Sequence, residues 1–115
     1  MKQGEIWLIN LDPTVGAEIK KTRPAIILND NALGKLPLKI IVPITDWKER
    51  YEIALWMTRI DPDRENGLTK ISAADSFQIR SVSQERFVKL IGTVHDTIMD
   101  EIRIGLAKVL SIDSE

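Results

Sequence analysis

Short apolar runs, rich in branched residues and broken by turn formers, most narrowly limit what this chain can fold into. They fall near residues 5–10, 24–29, 38–44, 53–58, 76–80 and 87–93. Glycine, proline, asparagine and aspartate separate them, as in Asn31-Ala32-Leu33-Gly34 and Asp61-Pro62-Asp63. Runs of this length and composition read as strands. One segment has a different rhythm. Ile98, Ile102, Leu106 and Val109 recur at steps of four, four and three, an apolar stripe on a helix over Thr97–Leu110. Asp96 or Thr97 can cap its start, and Asp100 and Glu101 suit the positive end of its dipole. Gly105 lies mid-helix, against helix propensity, and so predicts a close contact there. A further helical turn is predicted at Ser83–Arg86. Evenly spaced strands followed by one helix predict a mainly β fold: a small antiparallel barrel with a C-terminal helix laid on it.

A chain of 115 residues suits one domain, taken as residues 1–115, with room for a real core. At 43% hydrophobic residues it is expected to be folded. Charges interrupt every apolar run well short of the ~20 residues of a membrane span, so no membrane partner is expected. Met1-Lys2-Gln3-Gly4-Glu5 leads straight into the first strand, with no signal peptide expected and a cytoplasmic location as the simple reading. The absence of cysteine excludes disulfide scaffolds and thiolate zinc sites. The net charge of −1 hides an asymmetry. From residue 96 on, five acidic groups face two basic ones, while the preceding residues hold 14 basic and 12 acidic groups. A mildly cationic body with an acidic tail permits a short single strand of nucleic acid in a local groove, but gives little support for long-duplex binding.

Counting excludes several mechanisms. The only histidine is His95, so a two-histidine ribonuclease mechanism is impossible within one chain, and His95 reads as a surface or capping residue. No metal site of ordinary type can be assembled without cysteine or a histidine cluster, and no cofactor is expected. The acidic stretch Asp61–Gly67 hints at a calcium loop, but Asn66 stands where glycine is needed and Ser72 where a bidentate glutamate is needed. It reads as a hairpin turn. Chemistry is left to arginine, lysine, hydroxyls and carboxylates.

That set can transfer a phosphodiester from a ribose 2′-hydroxyl, because the nucleotide brings its own nucleophile and the protein must only orient, neutralise and shuttle protons. Residues 4–29 hold a strand, the polar loop Asp12–Thr22, and an Arg23-Pro24 step into the buried run Ala25-Ile26-Ile27-Leu28. The loop is long for a hairpin, and long loops in small domains are often functional. Arg23 at its foot presents a planar, permanently charged fork suited to phosphate. Thr45 closes the run Ile40–Ile44 with a hydroxyl, and Glu18 puts a proton acceptor in the loop. Lys20, Lys21 and Arg80 extend the positive charge. Trp47, in the polar Asp46–Arg50 loop, offers a stacking face, whereas Trp7 and Trp56 read as core or interface. Singly, Arg23 reads as a surface salt bridge, Thr45 as a turn residue and Glu18 as solvated charge.

Together the segments Gly4-Glu5-Ile6-Trp7, Leu11-Asp12-Pro13, Gly16-Ala17-Glu18, Thr22-Arg23-Pro24, Pro43-Ile44-Thr45 and Gln78-Ile79-Arg80-Ser81-Val82 resemble the MazF/PemK (Kid-like) toxin endoribonucleases, in order and over nearly the whole chain. The resemblance implies an SH3-like barrel, a homodimer, metal-independent cleavage of single-stranded RNA at short sequences, and neutralisation by an antitoxin whose extended tail occupies the RNA groove. It matches Arg23 to the catalytic arginine, Thr45 to the catalytic hydroxyl residue, Glu18 to the acid of the preceding loop and Gln78 to a residue near the substrate groove. Two places depart from the pattern. Phe77 stands where an acid often precedes the glutamine, and Asp46 follows Thr45, where it replaces a lost acid/base group or caps the turn. The arginine and aspartate that plasmid-type members draw from this strand are not carried over to Asp75 and Phe77. Two other readings use the same barrel without an active site: a gyrase-inhibiting, protein-binding toxin, in which Arg23 makes a structural salt bridge, and a non-catalytic SH3-like interaction module.

Overall fold

Strand alternation sorts the apolar residues onto two sides of one sheet. In the computed structural model, which describes residues 1–112, seven strands run antiparallel to every neighbour: β1 (Glu5–Asn10), β2 (Thr22–Ile27), β3 (Leu38–Asp46), β4 (Met57–Ile60), β5 (Ser72–Asp75), β6 (Arg80–Ser83) and β7 (Phe87–Thr93). One helix, α1 (Asp96–Val109), follows. The order is β4-β5-β3-β2-β1-β7, with β6 also paired to β3. On one side Ile6, Ile26, Val42, Ile44, Ile60 and Ala74 pack against Met99 and Ile102 of α1. On the other, Ile9, Leu11, Ala25, Ile27, Ile41 and Val82 form a second core, flanked by Trp7, Ile19 and Phe87. The expected mainly β fold with a C-terminal helix is what the chain adopts, and no described helix is long and apolar enough to cross a membrane.

β3 organises the sheet. One edge pairs with β2; along the other, Leu38–Ile41 pair with β6 and Ile44–Asp46 with β5. Between β5 and β6 the chain leaves β3 in a 3₁₀ turn, Ser76–Gln78, opposite Val42 and Pro43. Because Ile40 O accepts from Leu28 N on the β2 side, the pleat turns the Pro43 nitrogen towards this gap. Proline has no N–H, so the gap orphans no donor there. Curvature comes from β7, whose register against β1 slips between Ile6 and Trp7 and again between Leu8 and Ile9. Such bulges sharpen local twist and curl a sheet towards a barrel.

Three assignments are corrected. The strand expected at 53–58 begins only at Met57, because Glu49–Ile53 forms a 3₁₀ turn. The strand expected at 76–80 is instead the turn Ser76–Gln78, and strands β5 and β6 lie on either side of it. At α1 the cap is His95, whose Nδ1 accepts from Thr97 N at 3.3 Å, not Asp96 or Thr97. The buried stripe is Met99, Ile102 and Gly105, with Ile98 and Leu106 half-buried beside it. The expected close contact at Gly105 is present: a Cβ there would stand 3.1 Å from Leu55 O. The Asp61–Gly67 segment does turn within the β4–β5 hairpin. Asn66, buried at its centre, accepts from Asp63 N and Leu68 N and donates to Asp61 O.

Candidate active site

Directly opposed residues of antiparallel strands point to the same face. Ala25 faces Pro43 in the last pair of the β2–β3 ladder, and Arg23 and Thr45 lie two residues beyond it, each on the same face of its strand as that pair. Arg23 is also opposite Ile9 on β1, and Thr45 is opposite Ala73 on β5, which in turn is opposite Arg59 on β4. Ile9, Arg23, Thr45, Ala73 and Arg59 therefore share the face of the sheet away from α1. Arg23 is half-buried, and its Nε donates to Lys20 O at 3.3 Å. Among the described residues no carboxylate pairs with it. The guanidinium keeps most of its fork free on the face that also carries the Thr45 hydroxyl, and paired donors of this kind suit a phosphate.

Next to these residues lies a cleft of about 440 Å³, lined by Ala17, Glu18, Ile19, Pro43, Phe77, Gln78, Ile79 and Arg80. Its wall is the β1–β2 loop, held at three places. Gln78 grips it twice, accepting from Ile19 N at 2.6 Å and donating to Ala17 O at 3.3 Å. Arg80 donates to Leu11 O at 3.2 Å, and Arg86 to Asn10 O at 3.1 Å and to Asp12 O. Glu18 folds back on its own loop, accepting from Val15 N at 2.7 Å, yet stays exposed on the cleft wall.

The predicted residues thus separate into groups. Arg23 and Thr45 share one face of the sheet, with Glu18, Gln78 and Arg80 at the adjoining cleft. Gln78 and Arg80 spend hydrogen bonds on the loop, so they shape the cleft as well as line it. Lys20 and Lys21 are exposed on the same loop. Lys21 takes a positive φ of 70° and donates its N–H to Asp12 Oδ1. Trp47 lies on the site side, under the Arg59 guanidinium at 5.7 Å. Asp46 is exposed, and the pleat sends it to the opposite face from Thr45. Trp7 packs edge-on to Phe87 in the second core, and Trp56, just before β4, edge-on to Phe77.

Two residues of this face were not placed in the site from sequence. Arg59 is one; the order Met57-Thr58-Arg59-Ile60 does not alternate in polarity, and its direction shows only in the burial of Thr58 and Ile60 on the other face. The other is Asp75, which shares a face with Ala73 on β5 and is only 6% exposed. Its Oδ1 accepts from Phe77 N at 3.1 Å, capping the turn that carries Gln78. Burial raises its pKa above the ordinary aspartate value, partly offset by hydrogen bonds from Phe77 and Gln78. A raised folded pKa means that ionising Asp75 costs stability, which is intact below the unfolded pKa and lost as pH rises through the folded one. Asp75→Asn keeps an oxygen to accept from Phe77. It is therefore expected to gain on wild type in urea midpoint between about pH 3 and about pH 7. A constant difference across that range would show that the carboxyl is not strained.

Residues 2–110 match the PemK-like, MazF-like toxin family of type II toxin–antitoxin systems. Endoribonuclease PemK of Escherichia coli is 31% identical over 113 residues, covering 96% of this chain and 83% of the relative. Endoribonuclease MazF9 of Mycobacterium tuberculosis is 31% identical over 101 residues, 82% of each. Among solved structures, MazF of Deinococcus radiodurans superposes with a TM-score of 0.81 at 20% identity over 97% of both chains. A mycobacterial endoribonuclease solved in complex with its cognate antitoxin gives 0.79 at 16% identity, over 100% of this chain and 99% of that one. At those identities the structural likeness establishes the fold.

Proposed function

This chain belongs to the PemK-like, MazF-like toxin family, and from that premise we propose that it is an endoribonuclease toxin that cuts single-stranded RNA at short sequences without a metal ion. The observation that carries the reading is Arg23 and Thr45 on one face, each two residues beyond the Ala25–Pro43 pair, with the guanidinium unpaired with any carboxylate among the described residues. A structural salt bridge, which the gyrase-inhibiting alternative requires of Arg23, has no partner in that set.

The ribose 2′-oxygen attacks the adjoining phosphorus, the O2′–P bond forms and the P–O5′ bond breaks, leaving a 2′,3′-cyclic phosphate and a 5′-hydroxyl. Arg23 neutralises the charge that builds on the phosphorane oxygens, where a preorganised donor is worth most, and Thr45 donates its hydroxyl to the same phosphate. Glu18, exposed on the cleft wall, accepts the 2′-hydroxyl proton. Solvent water supplies the proton taken up by O5′. Arg23 is unsuited to that step because its guanidinium stays protonated in proteins. Lys20 and Lys21 steer the RNA backbone. Two copies pair as a homodimer, and a cognate antitoxin, like those bound in solved relatives, lays an extended tail in the same groove in the cytoplasm.

Purified protein incubated with RNA of mixed sequence in EDTA tests this directly. Discrete fragments with cyclic 2′,3′-phosphate ends are expected. RNA left intact, or cleavage that needs an added divalent ion, would overturn it.

A further inference from the structure

The face that holds Arg23 and Thr45 carries a second arginine. Arg59 is opposite Ala73, and Ala73 is opposite Thr45, so all three share a face. Strand spacing puts the Arg59 backbone roughly 10 Å from that of Thr45, on the side away from Arg23. Ala73, between them, brings only a methyl group to the row and is itself fully buried.

Arg59 is oriented rather than buried. Its guanidinium lies 5.7 Å from the centre of the Trp47 ring, which is itself braced edge-on by Tyr51 at 5.9 Å. Its Nε donates to Asp61 at 2.9 Å, in a pair whose side chains are 48% and 68% exposed. Exposed pairs of this kind contribute little, and Asp61 engages only one edge of the fork. A phosphate can take the remaining donors or displace Asp61, meeting a guanidinium already held over the indole and beside Asp61.

We propose that Arg59, seated on Trp47, is a substrate-binding residue that holds the phosphodiester next to the one gripped by Arg23 and Thr45. This rests on the endoribonuclease reading. An RNA strand whose reacting phosphate sits over Thr45 meets Arg23 on one side and Arg59 on the other, which fixes the direction in which it crosses the sheet. Arg59 touches no reacting atom, so its effect falls on KM.

The test uses the full chain and an RNA oligonucleotide carrying its cut site, with a 2′-deoxy version for binding. Arg59→Ala is expected to raise KM about tenfold while kcat stays within about twofold. Affinity for the 2′-deoxy strand should fall in step, with the salt slope of log affinity shallower by about 0.7, one phosphate contact on a single strand. Arg59→Lys should restore the slope but only part of the affinity, because an ammonium lacks the guanidinium's planar fork of paired donors. On the wild-type protein, a neutral methylphosphonate at one position beside the cut should reproduce the loss, and the same substitution should leave Arg59→Ala unaffected. If wild type cuts, and Arg59→Ala keeps its KM and salt slope or no flanking methylphosphonate weakens wild type, this assignment fails while the nuclease reading stands. If wild type neither cuts nor binds RNA, both fail.

Discussion

Replacing Arg23 with alanine is expected to slow RNA cleavage by about 100- to 1,000-fold, the usual loss when one donor to a developing oxyanion is removed. The fold should not change. Arg23 makes one described side-chain hydrogen bond, to Lys20 O at 3.3 Å, and no ion pair among the described residues, so its removal takes little from stability. Thr45→Val, nearly the same shape without the hydroxyl, should cost about tenfold, the worth of one hydrogen bond made in the transition state. Rates on one oligonucleotide, with circular dichroism melts of each variant, decide the matter. Cleavage at the wild-type rate by a folded Arg23→Ala protein would remove Arg23 from the mechanism and leave the cleft without its phosphate clamp.

The largest structural effect is expected at Gly92→Ala. Gly92 lies opposite Ile6, where β7 passes beneath the Asp61–Gly67 turn. A Cβ there would stand 2.3 Å from Glu65 O and 2.6 Å from Asn66 C and O, all of them backbone. The turn cannot easily yield, because Asn66 is 2% exposed and fixed by three hydrogen bonds, and Glu65 O also accepts from Thr93 N at 2.9 Å. Relief requires parting the turn from the strand. A loss of about 2–4 kcal/mol is expected, at the upper end for overpacking, read as a fall in urea midpoint. A midpoint unchanged from wild type would mean that the turn moves freely on β7.

What the sequence made legible follows from where the physics is local. β1 and β7 appear at the residues expected, because branched apolar runs bounded by turn formers leave few alternatives. α1 was found to within a residue at each end from its period alone. β5 was missed because Ser72-Ala73-Ala74-Asp75 has neither branched nor aromatic residues; it is a strand only because β3 and β4 lie on either side of it. That omission hid part of the site. Without β5 there is no row to carry Thr45 across to Arg59, and no burial to raise the pKa of Asp75. Arg23 and Thr45 stand out in the sequence because each sits near a strand end that a short motif marks. Gln78 lines the cleft, but its grip on the loop is a tertiary fact that spacing cannot reveal.

The wall of the cleft has a consequence for the order in which the site is assembled. Gln78 reaches back 59 residues to Ile19, Arg80 reaches 69 to Leu11, and Arg86 reaches 76 to Asn10. A chain made from its N-terminus presents Arg23 and Thr45 early, with nothing to close the loop beside them. The groove is finished only when residues 78–86 arrive, so an unfinished chain carries the clamp without its cleft. The cleft wall is thus assembled from both halves of the chain and forms only after the later half has folded onto the earlier.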